Sequence, residues 1–493
     1  MIATHLPVLQ VAVPLIAAPV CVLLRRGHLA WAFTTVICWG LLAIAALLLD
    51  QVMSGGTISY HLGGWEPPIG IEYRLDGVNA FVLLILAGTA ALMMPYARQS
   101  VEREVRPERQ HLFYAIFLLG LTGLLGIAAT GDAFNVYVFL EISSLASYVL
   151  IAQGKRRRAL TASYQYLIIG TIGASLILVG VGFLYAKTGT LNIADLGARV
   201  PALGETPAVL AAFAFITVGV LIKLALFPFH VWLPNAYAYA PSVVSAFLAA
   251  TATKVGAYML LRFVFTVFGI HFAFETMPLT EVLLALSLIA VLAGSLVAVF
   301  QSDLKRLLAF SSVGQIGYLG VGIGLASVTG VTGALVHIFN HALMKGGLFL
   351  AAGTIAYRLG ATDLSALHGL GRRMPFTMAA VVIGGLGLVG VPVTSGFVSK
   401  WYLVQGAFEA DLWPVALFVL AGSLIALAYV GRVIEAAYFR AAPPDAEPVQ
   451  EAPWAMQLST WALIAGSLYF GLHTDLTVGI AERAAAVLLG GAP

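Results

Sequence analysis

Seven ionisable side chains fall in stretches that are otherwise apolar: Glu141 in FLEISSLASY, Lys223 in TVGVLIKLALFPFHVWLP, Lys254 in ATATKVGAY, His337, His341 and Lys345 in HIFNHALMK, and Lys400 in TSGFVSK. A charge at the centre of a bilayer costs roughly 2.5–3.5 kcal/mol on insertion scales, so such residues face a bundle interior and mark ion or proton pathways. Burial favours the neutral form of lysine and of glutamate, whereas a carboxylate beside an ammonium stabilises both charged forms. Moving a proton onto or off a neighbour changes that balance, which is how such a pair gates transfer. Glu141 has Ser143, Ser144 and Ser147 close by to lend hydroxyls. The competing reading is a single carboxylate bonded to a helix backbone for packing.

His337, His341 and Lys345 stand four residues apart. Successive members advance only about 40° around a helix, so all three line one face. Histidine titrates near physiological pH and relays protons. A lone buried histidine is more often a bonded core residue, but three titratable groups in one intramembrane stripe favour a relay. A metal site is the alternative, weakened by the lack of a carboxylate partner for the two histidines.

Two apolar stretches are interrupted beside a lysine. Thr217–Pro234 is broken by Pro228 and Pro234 just past Lys223, and GGLGLVGVPVTSGFVSK is broken by Pro392 and Gly396 before Lys400, which ends that span. A proline removes a backbone donor and frees carbonyls; irregular backbone at membrane depth survives only where protein or a water-filled cavity satisfies it. Such breaks give access to a buried path, although Pro392 kinking a packed helix is the plainer alternative. His230 follows the first break and either serves as a proton exit or satisfies the freed carbonyls.

The elements that must position these residues are membrane helices. Of 493 residues, 60% are hydrophobic and 10% charged, against about a quarter charged in soluble domains. The chain is an all-α polytopic membrane protein with fourteen apolar spans, near 6–24, 29–49, 77–97, 111–130, 133–153, 159–186, 207–229, 241–265, 279–301, 304–326, 331–357, 376–400, 412–438 and 454–472. Each is long enough for ~30 Å of hydrocarbon. Residues 50–76 read as a surface hairpin, and 473–493 as a weakly amphipathic tail at the interface. Asp132 and Asp303 are placed to cap helices.

Loops after odd-numbered spans hold 17 lysines and arginines, and loops after even-numbered spans hold 4, Arg74, Lys187, Arg199 and Arg262. The positive-inside rule puts the basic loops in the cytoplasm and both termini outside. Lys305 and Arg306 are explained by this orientation. The interrupted spans occupy matching places in spans 4–8 and 9–13, an inverted-repeat pattern common in transporters. The chain thus divides into an N-terminal three-helix segment with a periplasmic loop (1–110), two half-channels (111–265 and 279–438) and a C-terminal helix and tail (439–493). Cys21 and Cys38 form no CxxC or metal-spaced cluster, no phosphate-cradling glycine loop is present, and a net charge of +3 argues against nucleic acid. No catalytic, cofactor or metal site of its own is expected.

FLEISSLASY, KLALFPFHVWLPNAY, SDLKRLLAFSSVGQIGY, HIFNHALMKGGLFLAAG and VPVTSGFVSK, in that order over roughly residues 130–405, resemble the antiporter-like subunits of the complex I superfamily. That family is shared by NADH:quinone oxidoreductase, membrane-bound hydrogenases and Mrp-type multisubunit cation/proton antiporters. APSVVSAFLAATATKVGAYMLLRF most resembles the D-type subunits of Mrp Na⁺/H⁺ antiporters, with the quinone-reductase M- and N-types close behind.

The resemblance implies fourteen helices in two inverted five-helix halves and a central polar axis. Along it Glu141 and Lys223 form a modulating pair, Lys254 the connector, His337, His341 and Lys345 the relay, and Lys400 the terminal lysine. It also implies proton conduction in a bacterial inner-membrane assembly with other membrane subunits, exchanging monovalent cations or, alternatively, driven by redox chemistry in partner subunits. One departure stands out: the family reads LPDA where this chain has Asn235 in LPNAY.

Overall fold

The computed structural model describes residues 2–442, 444 and 448–490; the end of the expected tail, 491–493, lies outside the described residues. Helices run Leu6–Leu24 (α1), Gly27–Gly55 (α2), Gly77–Glu104 (α3), Gln110–Ala129 (α4), Ala133–Ala152 (α5), Arg158–Thr188 (α6), Ile193–Leu203 (α7), Pro207–Leu224 (α8), Trp232–Tyr239 (α9) and Ser242–Leu261 (α10). They continue with Leu279–Val299 (α11), Leu304–Gly324 (α12), Val328–Leu359 (α13), the single turn Leu370–Arg373 (α14), Pro375–Val389 (α15), Ser395–Glu409 (α16), Trp413–Ile434 (α17), Trp454–Leu472 (α18) and Asp475–Leu488 (α19).

Among the described residues, twelve helices are long and apolar enough to cross a membrane, counting α8 with α9 as one. The two remaining expected spans are built differently. The stretch 376–400 is two 15-residue helices, α15 and α16, and continues to Glu409, so Lys400 lies in the second half-helix rather than at the end of a span. The last span, α18, turns by 74° into α19. The hairpin is present, with β1 (Ile58–His61) antiparallel to β2 (Glu72–Leu75) in the register Ile58–Leu75 to His61–Glu72. The amphipathic α7, in the loop before α8, was not expected.

Two clasps reveal the repeat. Asp132 caps α5 by accepting the Asn135 N–H at 2.7 Å, and Asp303 caps α12 by accepting the Arg306 N–H at 2.9 Å. Each aspartate also forms a single β-bridge, Asp132 with Asn192 and Asp303 with Asp363. The N–H groups of Ala133 and Ile193 donate to Leu191 and Gly131, and those of Leu304 and Leu364 donate to Thr362 and Ser302. Positions 131 and 302, like 191 and 362, lie 171 residues apart. The first clasp joins the hairpin, where the Gly131 N–H donates to Glu72; the second lies among the basic loops. The same device therefore closes opposite ends of two inverted bundles.

The breaks are equivalent as well. Ala225, after α8, and Gly390, after α15, both adopt left-handed conformations. Ala225 and Leu226 donate back to Ile222 and Leu221, as Gly390 and Val391 do to Gly387 and Leu386. These bonds satisfy the carbonyls of Leu221, Ile222, Leu386 and Gly387 and leave the final carbonyls of α15 open.

On the hairpin face, Arg262 is not a loop residue. It is largely buried and donates to both Asp76 oxygens at 2.8 and 2.9 Å and to Asn79 at 2.8 Å. Burial works against the Asp76 carboxylate, but Arg262 and the backbone N–H groups of Asn79 and Val78 hold its pKa below the usual aspartate range. A depressed carboxyl pKa contributes stability above the unfolded value, about 3.9, and loses it as pH falls through the folded value. Asp76→Asn is expected to cost about 3 kcal/mol by stranding the arginine. Thermal melting in detergent should show a lower Tm at neutral pH and a smaller loss on acidification than in the wild type.

Candidate functional site

Six of the seven expected residues come together on the inner faces of α8, α10, α13 and α16, and the seventh, Glu141 on α5, lies beside them. The break after α8 leaves Lys223 buried near its end, where its ammonium donates to Ser144 Oγ at 2.8 Å. Glu141, one turn before Ser144, is partly exposed, with Oε1 buried and without a hydrogen-bond partner among the described residues, and it makes no ion pair with Lys223. Of the three serines expected to support Glu141, none bonds it: Ser143 and Ser147 donate to their own helix, and Ser144 serves Lys223. Gly170 on α6 permits this arrangement, since a Cβ there would sit 3.4 Å from the ammonium and collide with the Tyr148 hydroxyl.

Lys254 is fully buried on α10 and donates to the Ala249 carbonyl. Its helix packs directly against α13, which carries His337, His341 and Lys345. On α13 the two imidazoles stack with centroids 5.5 Å apart, 12° from parallel. His337 Nδ1 shares a 2.9 Å hydrogen bond with Ser399 Oγ, while both His341 nitrogens are buried without a protein partner among the described residues. Lys345 donates to the Leu308 carbonyl at 2.8 Å and to Ser311 Oγ.

Lys400 reaches back across the second break. It donates to the Leu388 and Val389 carbonyls, both at 2.9 Å, and to Ser423 Oγ at 2.8 Å. It also sits 4.7 Å from the centroid of Tyr318, whose ring meets His337 edge-on. The two breaks are therefore used differently: Lys223 precedes the first, whereas Lys400 follows the second and satisfies its open carbonyls. At the first break that task falls to Trp232, whose indole donates to Ile222 at 3.0 Å. His230 instead stacks on Phe227.

Chemically, none of these four lysines is held by a carboxylate among the described residues, and three are held by serine: Ser144, Ser311 and Ser423. A hydroxyl accepts from an ammonium or donates to a neutral amine, so it serves both protonation states. A fixed carboxylate would lock the charge in place. None of these serines is expected as a lysine ligand from the sequence: Ser144 reads there as a partner of Glu141, and Ser311, in the LLAFSSVG stretch of α12, and Ser423, on α17, are brought in only by packing. Over the 171-residue offset, the histidine–lysine stripe falls on Tyr166, Gly170 and Ala174 of α6, so the stripe belongs to the second half alone.

The basic face also differs from expectation. Lys305 is buried, donating to Ser242 Oγ at 3.0 Å beside Glu104, which accepts the Ser242 N–H. Asn235 bridges Gln165 and Arg306 at 2.8 and 3.2 Å. The arginine therefore meets an amide where the related motif would offer a carboxylate.

Residues 130–426 match the family described as NADH:quinone oxidoreductase/Mrp antiporter, transmembrane. The chain is 44% identical to the N-type subunit of NADH-quinone oxidoreductase from Desulforudis audaxviator, over 91% of this chain and 90% of that one. It is 30% identical to the D-type subunit of the Na(+)/H(+) antiporter from Bacillus subtilis, over 98% and 97%. An Mrp complex chain from Dietzia sp. superposes with a TM-score of 0.91 at 27% identity, covering 99% of this chain and 98% of that one. With the matched segment holding both broken spans and all seven intramembrane ionisable residues, the chain belongs to the NADH:quinone oxidoreductase/Mrp antiporter transmembrane family.

Proposed function

We propose that the chain is the proton-conducting D-type subunit of a multisubunit Na⁺(K⁺)/H⁺ antiporter. Protons pass between Glu141–Lys223 and Lys400 through Lys254 and the His337–His341–Lys345 stripe, and partner membrane subunits carry the exchanged cation. The observation that carries this reading is the end-to-end superposition on the Mrp complex chain, with every position of the polar axis filled by a titratable group. Biased lysine and arginine loops support an inner-membrane placement with both termini outside. The two clasped bundles support division into half-channels at 111–265 and 279–438.

A second reading is favoured by the 44% identity to a quinone-reductase subunit: the same path driven by electron transfer in partner subunits. Purifying the native complex in mild detergent and recording its visible spectrum tests the choice. Colourless small membrane partners are expected. Soluble partners with iron–sulfur or flavin absorbance would move the chain to a redox-driven assembly.

A further inference from the structure

We infer that the path opens on the hairpin face through a cavity between α13, α16 and α19, with Glu482 as its outermost proton acceptor. This rests on the conduction reading and adds an outlet to it. The cavity, about 390 Å³, is lined by Val328, Thr329, Thr332, Tyr402, Glu482 and Arg483. Thr332 forms its inner wall; its hydroxyl is fully buried and has no hydrogen-bond partner among the described residues. Glu482 is exposed at the rim and accepts the Tyr402 hydroxyl at 3.1 Å.

On both α13 and α16 this cavity lies within a few residues of the histidine stripe. Thr332 precedes His337 on α13 by five residues, about 7.5 Å of helical rise. Tyr402 follows Ser399, the partner of His337, by three residues on α16, a spacing that places both on one helix face. The two helices meet between these points, where a Cβ at Gly333 would lie 3.2 Å from Tyr402 Cβ. Ser399 bonded to the imidazole, and a phenol on the same face of α16 joined to an exposed carboxylate, mark a stepped route from His337 to solvent along the cavity. Arg483 and the N-terminus of α13 offer positive potential to the receiving carboxylate. The bend after α18 brings Glu482 here.

The test uses the whole complex in membrane vesicles of known orientation. Thr329→Cys, at a partly exposed position of the cavity lining, should react with a membrane-impermeant methanethiosulfonate added on the hairpin face, lose proton flux on labelling and stay unlabelled from the basic face, with the unsubstituted protein as background. Glu482→Gln should lower proton flux at least about tenfold, a modest share of the effect of a positioned proton carrier, and Glu482→Asp should restore it. Failure of Thr329→Cys to label from the hairpin face, full flux after it is labelled, or full flux in Glu482→Gln, overturns the outlet. Lys254→Leu keeps the two readings apart, because it acts on flux and not on labelling. If Lys254→Leu is inactive while Glu482→Gln is fully active, conduction stands and the outlet falls.

Discussion

Lys223→Ala should reduce pH-gradient-driven cation exchange by at least about 100-fold, the loss expected when a positioned proton carrier is removed. The protein should still insert and assemble. The lysine has one side-chain partner, Ser144, and an unpaired hydroxyl costs on the order of 1 kcal/mol. Lys223→Arg is the sharper variant. A guanidinium keeps the charge and the reach but does not deprotonate. Exchange should therefore stay lost; wild-type exchange in Lys223→Arg would mean that only a fixed charge is needed there. Counterflow in reconstituted vesicles measures both.

Lys254→Leu should abolish transport and raise thermal stability together. This ammonium is fully buried, with a single carbonyl as its partner. Replacing a buried charge by an apolar side chain of similar volume is often neutral or stabilising, by about 1–4 kcal/mol. Lys254 also stands on α10, which packs against both α8 and α13, so removing it breaks the axis between the halves. A lysine kept at a cost in stability is explained by function. Unchanged Tm with unchanged flux would remove Lys254 from the path; detergent melting and vesicle flux on the same preparation decide it.

The sequence disclosed the intramembrane ionisable residues better than their surroundings. Glu141, the four lysines and the two histidines stand out because each is costly in an apolar run, and the prolines mark the breaks beside them. What periodicity does not carry is contact between distant segments. Trp232 closing the end of α8 and Ser423 holding Lys400 both depend on how helices dock. So does the near miss between Glu141 and Lys223. Arg262 and Lys305 read as loop charges because they lie near span ends, yet each turns inward to a partner, Asp76 and Ser242. The second break begins at Gly390 rather than Pro392, since the left-handed cap, not the missing donor, ends α15.

The distribution of apolarity across the bundle has a consequence for how the chain is made. The most apolar stretch of α13 has a mean hydropathy of 1.2 and is wholly buried, whereas those of α2 and α11, at 2.3 and 2.7, are buried over only 28% and 44%. The least oily of the twelve spans packs against α10 and α12, themselves at only 1.5 and 1.4, while the oilier α2 and α11 stand further out. Peripheral helices can therefore enter the bilayer on their own hydropathy, while α13, with two histidines and a lysine, gains a stable place only as others close around it. During synthesis it must wait near the insertion machinery for α15, α16, α18 and α19, its later neighbours. Truncations that end before α18 should leave a chain whose central helix is exposed to lipid and open to quality-control proteolysis.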